Sequence, residues 1–231
     1  RKPVQFKYKE LLITSMSPPS SGGICLGQLF KMIEPYEIGQ YEHNSLESIQ
    51  LMVEAERRSY ADRSEYLGDP DFVDIPINSL LDSIYLRDRM TNFDWNYASL
   101  SSKIKPGILI FDESDETTHY SIIDKYGNAV SVTTTLNGSY GSQVYVEDGG
   151  YFLNNEMDDF SSKPGVPNMF GLLGNEANSI LPEKRMLSSM TPTIVEKNKK
   201  LYMILGSPGG SKIITSVFQT ILNAYEYGMN I

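Results

Sequence analysis

The stretch Lys125-Tyr126-Gly127 restricts the fold more than any other part of the sequence. Runs of β-forming residues lie on both sides of it, at 119–124 and 129–135. A three-residue hairpin loop favours a type I turn that ends on a left-handed residue, and the glycine suits that last position. Counting outward from this turn in antiparallel register brings Thr117 opposite Thr135, a pairing that a one-residue slip would undo.

The sequence changes character near residue 105. Before that point the pattern is mainly helical, and after residue 117 it becomes strand-turn-strand. The stretch Asn44-Ser-Leu-Glu47 and the side chain of Asn78 offer helix caps. The Gly- and Pro-rich segment 163–174 is expected to form a surface loop and a candidate lid. Helices are predicted at 24–33, 48–66, 79–90 and 213–227, and a second hairpin at 191–196 and 201–205.

Charge and cysteine content exclude several classes of protein. The formal charge of -9 and a pI near 4.8 argue against a nucleic-acid partner, which normally binds a basic face. No apolar run approaches the ~18 residues of a membrane-spanning helix. Cys25 is the single cysteine, so paired-cysteine zinc sites and an internal disulfide are excluded. His43 and His119 are far apart in sequence, and no metal site is expected.

Six motifs follow one another along nearly the whole chain. They are Pro18-Pro-Ser-Ser-Gly-Gly23, Tyr60-Ala-Asp-Arg-Ser-Glu-Tyr-Leu-Gly-Asp-Pro-Asp-Phe72, Thr117-Thr-His-Tyr-Ser121, Asn154-Asn-Glu-Met-Asp-Asp-Phe160, Leu187-Ser-Ser-Met190 and Gly206-Ser-Pro-Gly-Gly-Ser211. In this order they resemble the γ-glutamyltranspeptidase family. The resemblance implies an α+β fold of the N-terminal-nucleophile hydrolase type, a four-layer α/β/β/α sandwich that is incomplete in this chain.

The resemblance also implies a self-cleaving precursor, cut between Glu116 and Thr117. Residues 1–116 would then be the C-terminal part of a large-subunit region, mainly helical. Residues 117–231 would be the β-rich N-terminal part of a small-subunit region, and the two would form one intertwined domain. We expect this chain to be a piece of a longer protein, with the remainder of the large subunit as its partner. In the family, an arginine from that remainder grips the substrate α-carboxylate.

Four residues are expected to carry the chemistry, by resemblance. Thr117 would be the nucleophile, because its freed α-amine can take the proton of its own hydroxyl. Thr135 would hydrogen-bond and orient Thr117, although Thr133 and Thr134 are alternatives if the register slips. The backbone N–H groups of Gly209 and Gly210 would form the oxyanion hole, where glycine permits close approach of the backbone to a ligand.

A second group of residues is expected to hold the glutamyl head group. By resemblance they are Asn137, Glu156, Asp159, Ser188 and Ser189. The two carboxylates suit an α-ammonium, whereas the two hydroxyls suit an α-carboxylate.

Two further residues, Phe170 and His119, are not expected to take part in the chemistry. Phe170 lies on the candidate lid, at a position where relatives often have a tyrosine, so a hydroxyl-mediated closure is in doubt. His119 invites comparison with a Ser-His-Asp triad, but it is more readily explained as a structural strand residue.

The implied activity is hydrolysis or transfer of the γ-glutamyl group of glutathione and related compounds. Water, an amino acid or a peptide would accept the group, no cofactor would be needed, and the location would be periplasmic or extracellular. One alternative is a glutaryl-type β-lactam side-chain acylase, whose substrate lacks the ammonium that Glu156 and Asp159 suit. Another is a non-catalytic piece that only binds a ligand or a partner chain.

Overall fold

A computed structural model describes residues 1–105, 117–163, 165, 166, 168 and 172–230. The strands are β1 Val4–Tyr8, β2 Leu11–Ser15, β3 Thr118–Ile123, β4 Ala129–Thr134, β5 Tyr145–Val146, β6 Tyr151–Phe152, β7 Thr193–Lys197 and β8 Lys200–Leu205. The α-helices are α1 Gly22–Ile33, α2 Leu46–Tyr66, α3 Ile77–Leu80, α4 Ser83–Arg89 and α5 Ile213–Tyr225.

The central element is a four-stranded antiparallel sheet in the order β1-β2-β7-β8. Its middle pair joins the two halves of the sequence, because Ile13 of β2 lies opposite Val195 of β7. The mainly helical expectation for the first 105 residues missed β1 and β2. Each strand has only five residues, and so short a run is ambiguous, even though both alternate between buried and more exposed positions.

Helices α1, α2 and α5 share one core with this sheet. Phe30 of α1 is at its centre, with its ring centroid 4.6 Å from that of Tyr8 in β1 and 5.0 Å from that of Phe218 in α5. All three aromatic side chains are fully buried. Because α1 contacts both a strand and two helices, it is buried along almost its entire length.

The hairpin β3–β4 forms a second sheet layer. Its predicted register is confirmed, since Ile122 pairs with Val130 and Gly127 has a φ of +85°. It packs against β7 and β8 through Ser131, whose Oγ donates to the Leu205 carbonyl over 3.1 Å. The outward side chains of β3, such as Ile122, are exposed. One helical layer and two sheet layers are therefore present, which fits an incomplete α/β/β/α sandwich.

The helix prediction for 79–90 was wrong in one respect. This segment divides into α3 and α4, and Asn78 lies inside α3 rather than capping a longer helix. Asp82 caps α4 instead, accepting the N–H groups of Ile84 and Tyr85 over 2.9 and 3.0 Å. The predicted cap of α2 is confirmed, because Ser45 Oγ accepts the N–H of Ser48.

Within the described ranges, no helix is both long and apolar enough to span a bilayer. The same ranges contain no cluster of three or more His, Cys, Asp or Glu side chains suited to hold a metal ion.

Candidate active site

Most of the predicted site residues meet in one small pocket of about 30 Å³ beside the start of β3. They come from segments far apart in sequence and are Thr117, Thr135, Asn137, Asp159, Ser188, Ser189 and Gly210. The remaining walls are apolar apart from backbone, and are made by Leu172, Leu187, Met190 and Ile213.

The threonine pair lies at the open end of the β3–β4 hairpin. Thr118 is paired with Thr134, so extending the same register by one step brings Thr117 opposite Thr135. Thr135 Oγ1 accepts the backbone N–H of Asn137 over 2.9 Å. This contact uses an acceptor site of the hydroxyl and not its proton. The chain turns sharply here, because Asn137 adopts a left-handed φ of +76°.

The serine pair presents two hydroxyls whose acceptor sites are already used. Ser188 Oγ accepts the N–H of Met190 over 3.1 Å, and Ser189 Oγ accepts from Nη2 of Arg63 over 3.1 Å. Both serines are only 8% exposed. No protein acceptor for either hydroxyl proton occurs among the described residues. A hydroxyl has one proton to donate, so both protons are available to a ligand in the pocket.

The loop that precedes α1 fixes the position of these serines. Ser21 N–H donates to the Ser188 carbonyl, and Ser188 N–H donates to the Pro19 carbonyl, both over 2.9 Å. Gly22 lies so close to the serine segment that a Cβ atom would be 2.5 Å from Thr191 Oγ1. The Pro18-Pro-Ser-Ser-Gly-Gly23 motif therefore packs against the serine segment and holds it in position.

Asp159 is the acidic group of the pocket. Burial, together with the negative charges of Glu156 and Asp158, raises the pKa of its carboxyl to about 7. The Arg63 guanidinium and a hydrogen bond with Asn137 oppose this rise. In an empty pocket near neutral pH, the carboxyl is thus poised between its two forms, and a bound cation would favour the charged one.

The two glycines lie between β8 and α5. Gly209 has a φ of +125° and Gly210 a φ of +48°, so both occupy the left-handed half of backbone space that suits glycine. Gly210 begins a short 3₁₀ turn, Gly210–Lys212, that leads directly into α5. Within the described part of the chain, neither backbone N–H donates a hydrogen bond. These amides are therefore available to a developing negative charge.

Not every predicted residue lines this pocket. Glu156 is on the same 3₁₀ turn as Asp159, and burial raises the pKa of its carboxyl, but it does not line the walls. Gly209 is likewise set back behind Gly210. Glu116 and Phe170 lie outside the described residues.

His119 has a structural environment, as expected. Its Nδ1 is 2.9 Å from Thr133 Oγ1 and its Nε2 is 3.0 Å from Ser121 Oγ. The ring packs against Gly206, where a Cβ atom would be only 2.2 Å from Nδ1. Burial lowers the pKa of the imidazole. His119 does not line the pocket.

Arg63 is the pocket neighbour that the sequence analysis did not single out. It is 3% exposed, and besides Ser189 it donates from Nε to Ser21 Oγ over 3.0 Å. A signal was present, since Arg63 continues the four-residue spacing of Leu51, Ala55 and Ser59 on the buried face of α2. A charged residue on such a face is unusual and indicates a specific role.

Comparison with known proteins shows the family of this chain. The sequence profile of the family described as Gamma-glutamyltranspeptidase matches residues 1–231. The chain belongs to this family.

Among its curated relatives, the glutathione hydrolase proenzyme of Escherichia coli (strain K12) is 49% identical over 100% of this chain. The Acylase ACY 1 proenzyme of Pseudomonas sp. (strain SE83) is 33% identical over the same share. The chain spans 40% and 39% of the lengths of these two relatives. The cephalosporin acylase of Bacillus halodurans shares the fold, with a TM-score of 0.75 at 20% identity, covering 99% of this chain and 38% of that chain.

Proposed function

We propose that the complete protein hydrolyses or transfers the γ-glutamyl group of glutathione and related compounds. The observation that carries this proposal is the composition of one pocket. It combines a pair of threonines with a carboxyl for a cation and two hydroxyl donors for an anion. An amino-acid end group has both charges, and a γ-glutamyl amide has this end group at a fixed distance from its reactive carbonyl.

In the proposed reaction Thr117 becomes an N-terminus when the bond after Glu116 is cut. Its Oγ attacks the γ-carbonyl carbon while its α-amine takes the hydroxyl proton. The C–N bond then breaks, the amine returns the proton to the leaving nitrogen, and a γ-glutamyl ester remains on Thr117. Water or the amine of an acceptor attacks this ester and restores the free threonine.

Neighbouring groups have distinct roles in this proposal. Thr135 donates a hydrogen bond to Thr117 Oγ and fixes its direction. The N–H groups of Gly209 and Gly210 stabilise the oxygen that becomes negative in each tetrahedral intermediate. Loss of one such donor typically costs about 3 kcal/mol of transition-state stabilisation.

The substrate head group is oriented by charge. Asp159 binds the α-ammonium, with Asn137 and Glu156 beside it, and the Ser188 and Ser189 hydroxyls bind the α-carboxylate. Support for this orientation comes from Asp159, whose partly buried carboxyl interacts with the charge of Arg63 but has no cation within ion-pair distance among the described residues. An α-ammonium would supply that cation.

A glutaryl-type acylase is the second candidate function. It is favoured by the similarity to the Acylase ACY 1 proenzyme. A glutaryl group has the carboxylate but no ammonium, so the Asp159 carboxyl would have no cationic substrate group to bind. Comparing kcat/KM for γ-glutamyl-p-nitroanilide and glutaryl-p-nitroanilide distinguishes the two, and a preference for glutaryl would replace our proposal.

The nucleophile is tested by Thr117→Ala in the complete protein, with Thr118→Ala as a matched control. We expect Thr117→Ala to remain uncut and to lose turnover, because alanine lacks the hydroxyl and the uncut chain has no N-terminus at residue 117. Thr118→Ala should cut and turn over normally, since this exposed neighbour points away from Thr117 along the strand.

Intact mass and N-terminal sequencing measure the cut, and p-nitroaniline release measures turnover. Retained turnover in Thr117→Ala would refute the proposal. It would equally be refuted if the unaltered protein stayed uncut, and a non-catalytic binding role would then be favoured.

We also propose a periplasmic or extracellular location, which the resemblance to exported family members supports. Cell fractionation with an antibody against this chain tests it. A cytoplasmic signal would contradict it.

A further inference from the structure

Arg63 is a buried cation that interacts with the charge of Asp159 but forms no ion pair among the described residues. It is 3% exposed, and burial lowers the pKa of its guanidinium. No carboxylate lies within ion-pair distance of it in the described ranges, and its side-chain donors contact two hydroxyls. Buried arginines normally pair with a carboxylate or phosphate, because an uncompensated buried charge is costly.

The contacts of Arg63 determine how the serine pair is presented. Its Nη2 donates to Ser189 Oγ, so this hydroxyl must direct its own proton elsewhere, and the pocket is the open side. Its Nε donates to Ser21 Oγ, which in turn donates to the Ser188 carbonyl over 2.8 Å. One guanidinium thus supports both members of the pair.

We propose that Arg63 is a positioning residue that makes the pocket select acyl substrates with a free carboxylate. It orients the Ser189 hydroxyl and places its positive charge behind that hydroxyl. This inference rests on the proposed function, in which Ser188 and Ser189 hold the α-carboxylate. Arg63 does not line the pocket, so its role is separate from that of an arginine gripping the carboxylate from outside this chain.

The proposal is tested with three p-nitroanilides that differ only in the end group. The γ-glutamyl compound has carboxylate and ammonium, the glutaryl compound has only the carboxylate, and the 4-aminobutyryl compound has only the ammonium. In the complete protein, Arg63→Gln should raise KM roughly 10- to 100-fold for the first two, with little change in kcat, because a hydrogen bond from a charged donor is lost. The 4-aminobutyryl compound should be almost unaffected.

Asp159→Asn should give the opposite pattern, with a loss on the γ-glutamyl and 4-aminobutyryl compounds only. Arg57→Gln is a matched control on the same helix, since Arg57 donates to the Ser99 carbonyl and not to the serine pair. It should leave the ratios among the three substrates unchanged. If Arg63→Gln lowers kcat/KM equally for all three substrates, or for none, the positioning role is overturned.

A second set of variants covers the case in which Arg63→Gln does not fold or does not cut itself. Arg63→Lys keeps the charge but not the planar group that reaches Ser21 and Ser189 together. We expect a smaller rise in KM, which disappears when Ser189→Ala is already present. Additive effects of Arg63→Lys and Ser189→Ala would overturn the proposal.

The activity of the unaltered protein on these substrates distinguishes failure of the Arg63 proposal from failure of the proposed function. If the unaltered protein cleaves the glutaryl but not the γ-glutamyl compound, the γ-glutamyl function fails, while the carboxylate role of Arg63 is still measured on the glutaryl compound. If neither is cleaved, both proposals are refuted.

Discussion

At the scale of single residues, the pocket is explained by counting donors and acceptors. Ser188 and Ser189 accept from protein groups, which leaves their protons to a ligand. Asp159 has the reverse situation, because its buried carboxyl needs a cation to remain charged. In the proposed complex, these two facts set the direction of the glutamyl head group, with its ammonium at Asp159 and its carboxylate at the serines.

The raised pKa of Asp159 predicts a pH dependence. Only its charged form pairs with an ammonium, so kcat/KM for the γ-glutamyl compound should rise up to about pH 7, the pKa of the carboxyl in the free protein. An α-amine ordinarily has a pKa near ~8, and in the proposed cleaved protein that of Thr117 would affect both substrates alike. The ratio of kcat/KM for γ-glutamyl and glutaryl compounds therefore isolates Asp159.

We expect this ratio to increase about tenfold per pH unit below pH ~7 and to level off above it. Asp159→Asn should make the ratio independent of pH. A ratio that is already flat in the unaltered protein would show that Asp159 does not bind the ammonium.

Sequence reasoning identified most of these residues but not their partners. Thr117 and Thr135 were paired by turn chemistry, and the described strands have that register. Arg63 was missed because the helical period shows which face it occupies but not which distant segment covers that face. Its neighbours Ser21 and Ser189 come from sites 42 and 126 residues away, and such contacts depend on tertiary packing.

At the scale of elements, two segments hold the serine pair in place. The loop before α1 supports it from one side through Ser21. On the other side, the fully buried carboxylate of Asp69, just after α2, accepts from the Arg185 side chain and backbone. Burial alone would raise the pKa of Asp69, but these hydrogen bonds outweigh it and hold the pKa well below its ordinary value. Arg185 thereby anchors the segment that leads to Ser188.

Gly22→Ala tests the first of these supports. An added Cβ would be 2.5 Å from Thr191 Oγ1 and 2.6 Å from the Met190 carbonyl, so the loop and the serine segment must move apart. We expect a loss of roughly 1–3 kcal/mol in the free energy of unfolding and a higher KM for γ-glutamyl substrates. Denaturant unfolding and steady-state kinetics measure the two effects.

Gly127→Ala is the matched control, because its Cβ would meet no atom within 4 Å and only its φ of +85° is unfavourable. It should cost about 1 kcal/mol of stability without changing KM. An unchanged KM in Gly22→Ala would show that the loop does not position the serines.

At the scale of the whole molecule, the predicted cut does not coincide with a structural boundary. The four-stranded sheet takes β1 and β2 from residues before 116 and β7 and β8 from residues after 117. Helix α1 of the first part packs against α5 of the second. The two parts thus share one core and one sheet.

We therefore predict that the two products remain associated after the cut. They should elute as one species in size-exclusion chromatography under native conditions and separate in denaturant. The uncut Thr117→Ala protein is the control for elution volume. Separation of the products in native buffer would contradict a shared core.

The layered fold was predicted from the resemblance, whereas its first two strands were not. β1 and β2 are short and pair with each other, and β2 joins the sheet by pairing with β7, more than 175 residues further along the chain. Local pattern has little weight against so distant a partner. The division of 79–90 into α3 and α4 was missed for a local reason, the stronger capping by Asp82.

The order β1-β2-β7-β8 has a further consequence for how such a protein can be made. The predicted cut between residues 116 and 117 falls between β2 and β3, which belong to different sheets, so it would leave whole every strand ladder of the described residues. Covalent continuity then serves assembly, by keeping the two parts at high effective concentration while the core forms. If the predicted cut follows completion of the core, the connection is then dispensable, and the mature molecule would be a naturally split protein whose halves are held together by a shared sheet.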